Sequence, residues 1–255
     1  MSEIRRLFVT GAGTGLGQGL ADHYARPGAH LGIVGRREEL LREREKEWTA
    51  RGARVEVYAG DVADTDFMAL CAREFVAAAG GVDLVFANAG VAIANRVLEG
   101  ESHEIAWLVN VNVIGVTNTV VPFVPLMVEQ GSGVLCAVGS MAGHQPLPGR
   151  AAYSASKAYV ATFMSSLRMD LHGTGVHAMT LYPGFVDTPL TVDNPGMMFV
   201  IDVPEAVDYM VRAIEARKRN YTFPWQMNLL KEVMARAPES LIRRLAPVAR
   251  TRSSS

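Results

Sequence analysis

Residues 151–160 read AAYSASKAYV and place Tyr153 and Lys157 four apart, with only small residues between them. Residues four apart on a helix share a face, so the phenol and the ammonium are expected side by side. A cation beside a phenol favours phenolate and should draw its pKa down from the usual ~10. A tyrosine so tuned can exchange a proton with a substrate oxygen near neutral pH. The six histidines show no H-x-x-x-H or H-E-x-x-H pairing, and no metal site is expected.

A second constellation lies near the amino terminus. VTGAGTGLGQGL fits T-G-x-x-x-G-x-G, with Thr10, Gly11, Gly15 and Gly17, and runs from an apolar strand into a helix. Glycines there permit a tight turn and let backbone N–H groups approach a phosphate at the positive helix end. The second apolar strand ends near Val34 and is followed by Gly35, Arg36 and Arg37. An acid at that point would bind the ribose 2′-hydroxyl of NAD; guanidinium without an acid suits the 2′-phosphate of NADP. Asp61, in GDVAD, is placed to reach the adenine edge. Asn88–Gly90, in ANAG, would lie along the cofactor.

These groups need a scaffold that brings strand ends together. Apolar runs at 4–9, 30–34, 54–59, 83–87, 133–138, 176–181 and 221–223 read as seven buried strands. Helical patterns fill 16–25, 37–51, 64–79, 102–130, 152–172, 204–218 and 226–245. Strands alternating with helices predict an α/β fold: a single doubly wound, Rossmann-like domain over residues 1–255, its seven-stranded parallel sheet covered on both faces. Pro122 and Pro125 predict a kink or break in the long 102–130 helix. Residues 191–225 are expected to form a substrate lid and loop region, and 226–255 a C-terminal helix with a frayed tail.

Composition narrows the classes. The chain has 255 residues, 49% of them hydrophobic, with a formal net charge of -1, which offers no cationic excess for nucleic acid. Cys71 and Cys136 lie far apart and read as buried, reduced thiols. No apolar run approaches the ~20 residues of a membrane span. A first strand from Ile4 leaves no room for a signal peptide, so the cytoplasm is the expected location.

Together, T-G-x-x-x-G-x-G, NAG, NVIG, VGS, YSASK and PGFVDT, in this order over residues 4–190, make the chain resemble the short-chain dehydrogenases/reductases of the compact type. The resemblance implies that Tyr153 is the general acid/base and that Lys157 lowers its pKa and holds the nicotinamide ribose. It implies that Ser140 hydrogen-bonds the substrate oxygen and that Asn112 of NVIG supports a water relay to Lys157. Pro183, Gly184, Val186 and Thr188 would line the nicotinamide side. Thr14, Leu16, Val62 and Ala89 complete the expected cofactor contacts. Gly13 stands where many NADP-dependent relatives carry a hydroxyl, which leaves the 2′-phosphate to Arg36, Arg37 and Thr14.

The expected activity is NADP-dependent hydride transfer between nicotinamide and a small carbonyl or alcohol substrate. Alternatives are an NAD-dependent alcohol dehydrogenase, a silent dinucleotide sensor, and a methyltransferase or epimerase on a similar fold. MAGHQPLPGR should form one substrate wall, with His144 and Gln145 as polar selectors. The apolar run Met197–Ile201, with Met198 and Phe199 at its centre, is expected as a lid hinged near Gly196 over an apolar substrate. Apolar residues on two helices (Trp107, Phe123, Met127, Phe163, Met164, Leu167) suggest a helix-paired homodimer or homotetramer.

Overall fold

A computed structural model describes residues 3–93, 97, 100, 102–191, 197–234 and 240. The seven strands are β1 (Arg6–Thr10), β2 (His30–Gly35), β3 (Arg54–Ala59), β4 (Leu84–Ala87), β5 (Gly133–Val138), β6 (Val176–Pro183) and β7 (Asn220–Phe223). They form one all-parallel sheet in the order β3-β2-β1-β4-β5-β6-β7. The chain winds outward to β3, returns to pair β4 with β1, and then winds the other way. That reversal opens a crevice outside the carboxyl ends of β1 and β4, where doubly wound sheets bind ligands.

Both sheet faces are buried, as the unbroken apolar runs predict. Leu7, Val9, Leu31, Ile33, Leu84 and Phe86 point to one side. There they meet α1 (Gly15–Tyr24), α2 (Glu38–Ala50) and α8 (Val203–Glu215). Phe8, Val34, Val85 and Leu135 point to the other side, against α3 (Thr65–Ala79), α5 (Gly115–Val120), α6 (Phe123–Gln130) and α7 (Ala151–Asp170). Local signals set several ends. Asp64 caps α3 by accepting from Phe67 N at 3.0 Å, and Gly80 ends it at φ 70°. Asp202 caps α8 by accepting from Glu205 N at 2.8 Å.

The expected single helix over 102–130 is three helices and a wide turn: α4 (His103–Val109), a π-helical turn (Asn110–Ile114), α5 and α6. The break expected from proline falls at Val121–Pro122. Pro125 sits in the first turn of α6, where its missing N–H removes no intrahelical bond. By length and composition His103–Gln130 is apolar enough to cross a membrane, which corrects the expectation that no stretch approaches that test. Half of its most apolar window is buried, however, as in a core helix of a folded domain. Phe123, Met127 and Met164, expected at a subunit interface, are fully buried core residues instead. Phe163 and Leu167 are partly buried against the same core, and Trp107 remains 37% exposed. Of the C-terminal helix, α9 (Trp225–Met234) is described; the expected remainder to 245 and the tail lie outside the described residues.

Candidate active site

A cleft of about 590 Å³ runs across the carboxyl ends of the strands. Its floor is the β1–α1 turn, where Gly11 and Gly15 take φ of 69° and 60°. These values belong to the left-handed region that glycine tolerates best. Gly11, Thr14, Gly15 and Leu16 line the cleft, and α1 begins at Gly15, so its first N–H groups open toward it. Gly17 does not line it. A Cβ there would lie 2.3 Å from Gly11 O and 2.5 Å from Asn88 Nδ2, so this glycine lets α1 close on the turn.

Thr10 is also absent from the lining; it is 1% exposed and acts as a strut. Its Oγ1 accepts from Asn88 N at 3.2 Å and Ala89 N at 3.3 Å, while Asn88 Nδ2 donates to Thr10 O at 3.1 Å. These bonds tie the end of β4 to that of β1 and present Asn88, Ala89 and Gly90 to the cleft.

Gly35, Arg36, Arg37, Asp61 and Val62 line the cleft from the ends of β2 and β3. Gly60 N donates to Gly35 O at 3.0 Å, which holds the two loops together. Neither arginine forms an ion pair with a described residue. Asp61 Oδ1 accepts from Ala63 N at 2.9 Å, which fixes its carboxylate at the lip.

Tyr153, Lys157, Ser140 and Asn112 converge where β4 and β5 end. Ser140 follows β5 in extended backbone, and its Oγ accepts from Ala142 N at 3.2 Å. Ser140 and Tyr153 line the same cleft, near enough for the serine to act on the phenol's pKa. Lys157 is 6% exposed, and its Nζ donates to Val138 O at 2.9 Å. Burial pulls its pKa down from the usual lysine range to about 8. Tyr153 is pushed up by burial and pulled back by Ser140 and then by the charge of Arg150.

The net direction is upward, whereas the spacing of Tyr153 and Lys157 predicts a fall. Lys157 Nζ lies 5.9 Å from the Tyr153 ring centroid and donates to the β5 carbonyl. Asn112 is fully buried on the π-helical turn and does not line the cleft. Its Oδ1 accepts from Val91 N at 2.8 Å, and its Nδ2 donates to Val91 O at 2.9 Å and Ser156 Oγ at 3.2 Å. It still stands beside the lysine: a Cβ on Gly90 would lie 3.2 Å from Asn112 Oδ1 and 3.7 Å from Lys157 Nζ.

Pro183, at the end of β6, and Gly184, Val186 and Thr188, just after it, line the opposite wall. Thr191 Oγ1 donates to Val186 O at 2.5 Å and accepts from Thr188 N at 3.2 Å, which holds this wall in shape. Thr188 Cγ2 would stand 3.3 Å from a Cβ on Gly15, so the glycine keeps the cleft open there.

The substrate-side expectations lie farther out. His144 and Gln145 do not line the cleft, and the His144 ring packs on Tyr182 with centroids 4.6 Å apart. Met198 and Phe199 are each 48% exposed and also outside the lining. The chain returns beside the cleft just after them, where Ile201 N donates to Phe185 O at 3.1 Å and Asp187 N to Ile201 O at 2.9 Å. The expected hinge, Gly196, lies outside the described residues.

Sequence reading missed Val91, Val111, Val138, Gly139, Leu190 and Thr191 in the lining. Val138 and Gly139 continue β5 directly into Ser140, a signal that was present in the sequence. Val111 faces the cleft because of the π-helical turn, which no local pattern marks. Among the described residues no group of three or more His, Cys, Asp or Glu side chains is placed to hold a metal.

The residues present suit a dinucleotide: a glycine cradle at a helix start, a floor held by Thr10 and Asn88, and two guanidinium groups beside the second strand. Residues 5–197 match the family model for short chain dehydrogenase. An uncharacterized oxidoreductase of Myxococcus xanthus is 42% identical over 224 residues, 88% of each chain. Among solved structures, a short chain dehydrogenase/reductase from Burkholderia phymatum in complex with NAD superposes with a TM-score of 0.83 at 24% identity, covering 99% of this chain and 100% of that one. A short-chain dehydrogenase from Sphingobium yanoikuyae in complex with NADPH gives 0.80 at 23% identity, over 92% and 96% of the two chains.

Proposed function

The chain belongs to the short-chain dehydrogenase family of oxidoreductases, and we propose that it interconverts a small, apolar carbonyl compound and its alcohol using NADP. The observation that carries this reading is that Ser140, Tyr153 and the buried Lys157 meet in the wall of one glycine-floored cleft.

The glycine turn and the start of α1 would hold the diphosphate, with Asn88–Gly90 alongside. Arg36 and Arg37 would hold the 2′-phosphate, and Lys157, Gly184 and Thr188 the nicotinamide end. When bound, the reduced nicotinamide supplies the hydride. Tyr153 donates the proton to the carbonyl oxygen as negative charge develops there, and its raised pKa keeps it in the donor form at neutral pH. Ser140 stabilises the same oxygen by hydrogen bonding. Lys157 stands behind the phenol with a pKa of about 8, a charge suited to assist the proton's passage. Asn112 fixes the backbone of Val91 beside it.

Preference for NADP is supported by two guanidinium groups that make no ion pair with a described residue and by no acid at positions 35–37. A charge-assisted bond is worth about 1.5–3 kcal/mol, a tenfold to hundredfold preference over NAD. An apolar substrate is supported by Leu190, Met198, Phe199 and Val200, exposed on the stretch that follows the nicotinamide wall.

The direct test follows absorbance at 340 nm with a panel of ketones and aldehydes, offering NADPH and NADH separately. The expected result is turnover that favours NADPH, with Arg36→Asp erasing or reversing the preference. Equal use of both cofactors by the unmodified protein would favour the NAD-dependent alternative. Tight binding without turnover across the panel would favour a silent sensor.

A further inference from the structure

Arg36 is exposed at the cleft rim and makes no ion pair with a described residue, yet it has a fixed neighbour. Its guanidinium carbon lies 5.7 Å from the ring centroid of Trp107, which reaches over from α4. Trp107 is itself 37% exposed and does not line the cleft. A cation over an indole face is held by the ring quadrupole, and tryptophan is the strongest aromatic partner for it. A carboxylate in the same place would also hold the arginine, but it would neutralise the charge and repel an incoming phosphate. The indole holds Arg36 and leaves its charge and its N–H donors available.

The partner's position matters as much as its chemistry. Arg36 follows β2 and belongs to the corner that leads into α2, whereas Trp107 belongs to α4, on the other side of the sheet's switch point. The contact therefore joins elements from the two sides of that switch point, with Arg36 lining the same cleft as Asp61 and Val62. An unsupported arginine on that corner would sample many rotamers and lose that freedom on meeting a phosphate.

We propose that Trp107 is a positioning residue for cofactor selection: its indole holds the Arg36 guanidinium at the cleft rim, still fully charged, where it meets the 2′-phosphate. This rests on the reading of Arg36 as a phosphate ligand given above. Trp107 is assigned no contact with the cofactor and no part in hydride or proton transfer.

The experiment measures, by calorimetry, the affinity of the full-length protein for 2′,5′-ADP and for 5′-AMP, which differ only in the 2′-phosphate. The variants are Trp107→Leu, Trp107→Phe, Arg36→Ala and the double variant Arg36→Ala/Trp107→Leu. Trp107→Leu keeps apolar bulk but removes the ring, and should weaken 2′,5′-ADP about two- to fivefold, the range of an exposed cation–π contact. Its affinity for 5′-AMP should not change, and Trp107→Phe should retain most of the difference. In the Arg36→Ala background the leucine change should have no further effect, because the two residues act as one unit.

Equal weakening of both ligands by Trp107→Leu would overturn the proposal, since Trp107 would then be part of a general wall. Unchanged affinity for both would overturn it as well, with Arg36 acting unaided. A wild-type protein that binds the two ligands equally would instead defeat the phosphate reading on which the proposal rests. A thermal melt of each variant separates these results from loss of fold.

Discussion

Lys157 carries an electrostatic consequence that can be read without any substrate. Its pKa falls from the ordinary lysine value to about 8 on folding, because the ammonium is buried with Val138 O as its one hydrogen-bond acceptor among the described residues. Between about pH 8 and the unfolded value near ~10.4 the unfolded chain binds more protons, so this group makes stability rise with pH across that window. At roughly 1.4 kcal/mol per pKa unit, the full effect is on the order of 3 kcal/mol. Lys157→Met should flatten that part of the profile and raise the thermal midpoint at pH 7, measured by calorimetry from pH 7 to 10. In turnover the sign reverses. The protonated lysine and phenol serve carbonyl reduction, so kcat should stay level below about pH 8 and fall above it. The Tyr153–Lys157 spacing was legible in the sequence. The anchoring carbonyl of Val138 was not, because it comes from a strand 19 residues away that only the tertiary fold brings near.

At the scale of elements, all seven strands were legible because parallel strands buried on both faces read as near-continuous apolar runs. Helix ends at Asp64, Gly80 and Asp202 were set by residues whose local chemistry is strong. The division of 102–130 was legible only at Pro122. In the π-helical turn the Asn112 amide bonds both backbone groups of Val91, a long-range pairing with no local signature. The glycine turn is the opposite case, since its spacing states its geometry. Gly17→Ala would force a methyl to 2.3 Å from Gly11 O and push α1 from the turn. Such overpacking costs about 1–3 kcal/mol. The expected outcome is a thermal midpoint a few degrees lower together with NADPH affinity reduced about tenfold or more, the latter worth ~1.4 kcal/mol. A stable variant with unchanged affinity would show that α1 can withdraw without disturbing the cradle.

Among the described residues, two of the exposed apolar stretches bear on assembly and on substrate. Ile114, Val121 and Val128 are 39%, 45% and 40% exposed along α5, α6 and the turns before them. We expect this face to pair with a second copy, so light scattering at micromolar concentration should give a dimer or larger, and Val121→Lys should shift it toward monomer. A monomeric unmodified protein would contradict that. The second surface is Met198, Phe199 and Val200, where Phe199 takes φ of 56°. These three side chains stand off the core, while Ile201 beside them is buried in it. Met198→Asp should raise KM for bulky apolar ketones while leaving NADPH affinity and thermal midpoint unchanged. Unchanged kinetics would show that this segment never touches substrate.

The central claim is that Tyr153 is the proton donor in a nicotinamide-dependent carbonyl reduction, and one comparison tests it most directly. Single-turnover oxidation of bound NADPH is followed at 340 nm for the unmodified protein and for Tyr153→Phe, with NADPH affinity measured for both. The expected result is a rate about a hundred- to ten-thousandfold lower in the variant, the usual contribution of a positioned general acid, at nearly the same cofactor affinity. A variant that binds NADPH normally and still reduces the carbonyl at most of the original rate would contradict the account.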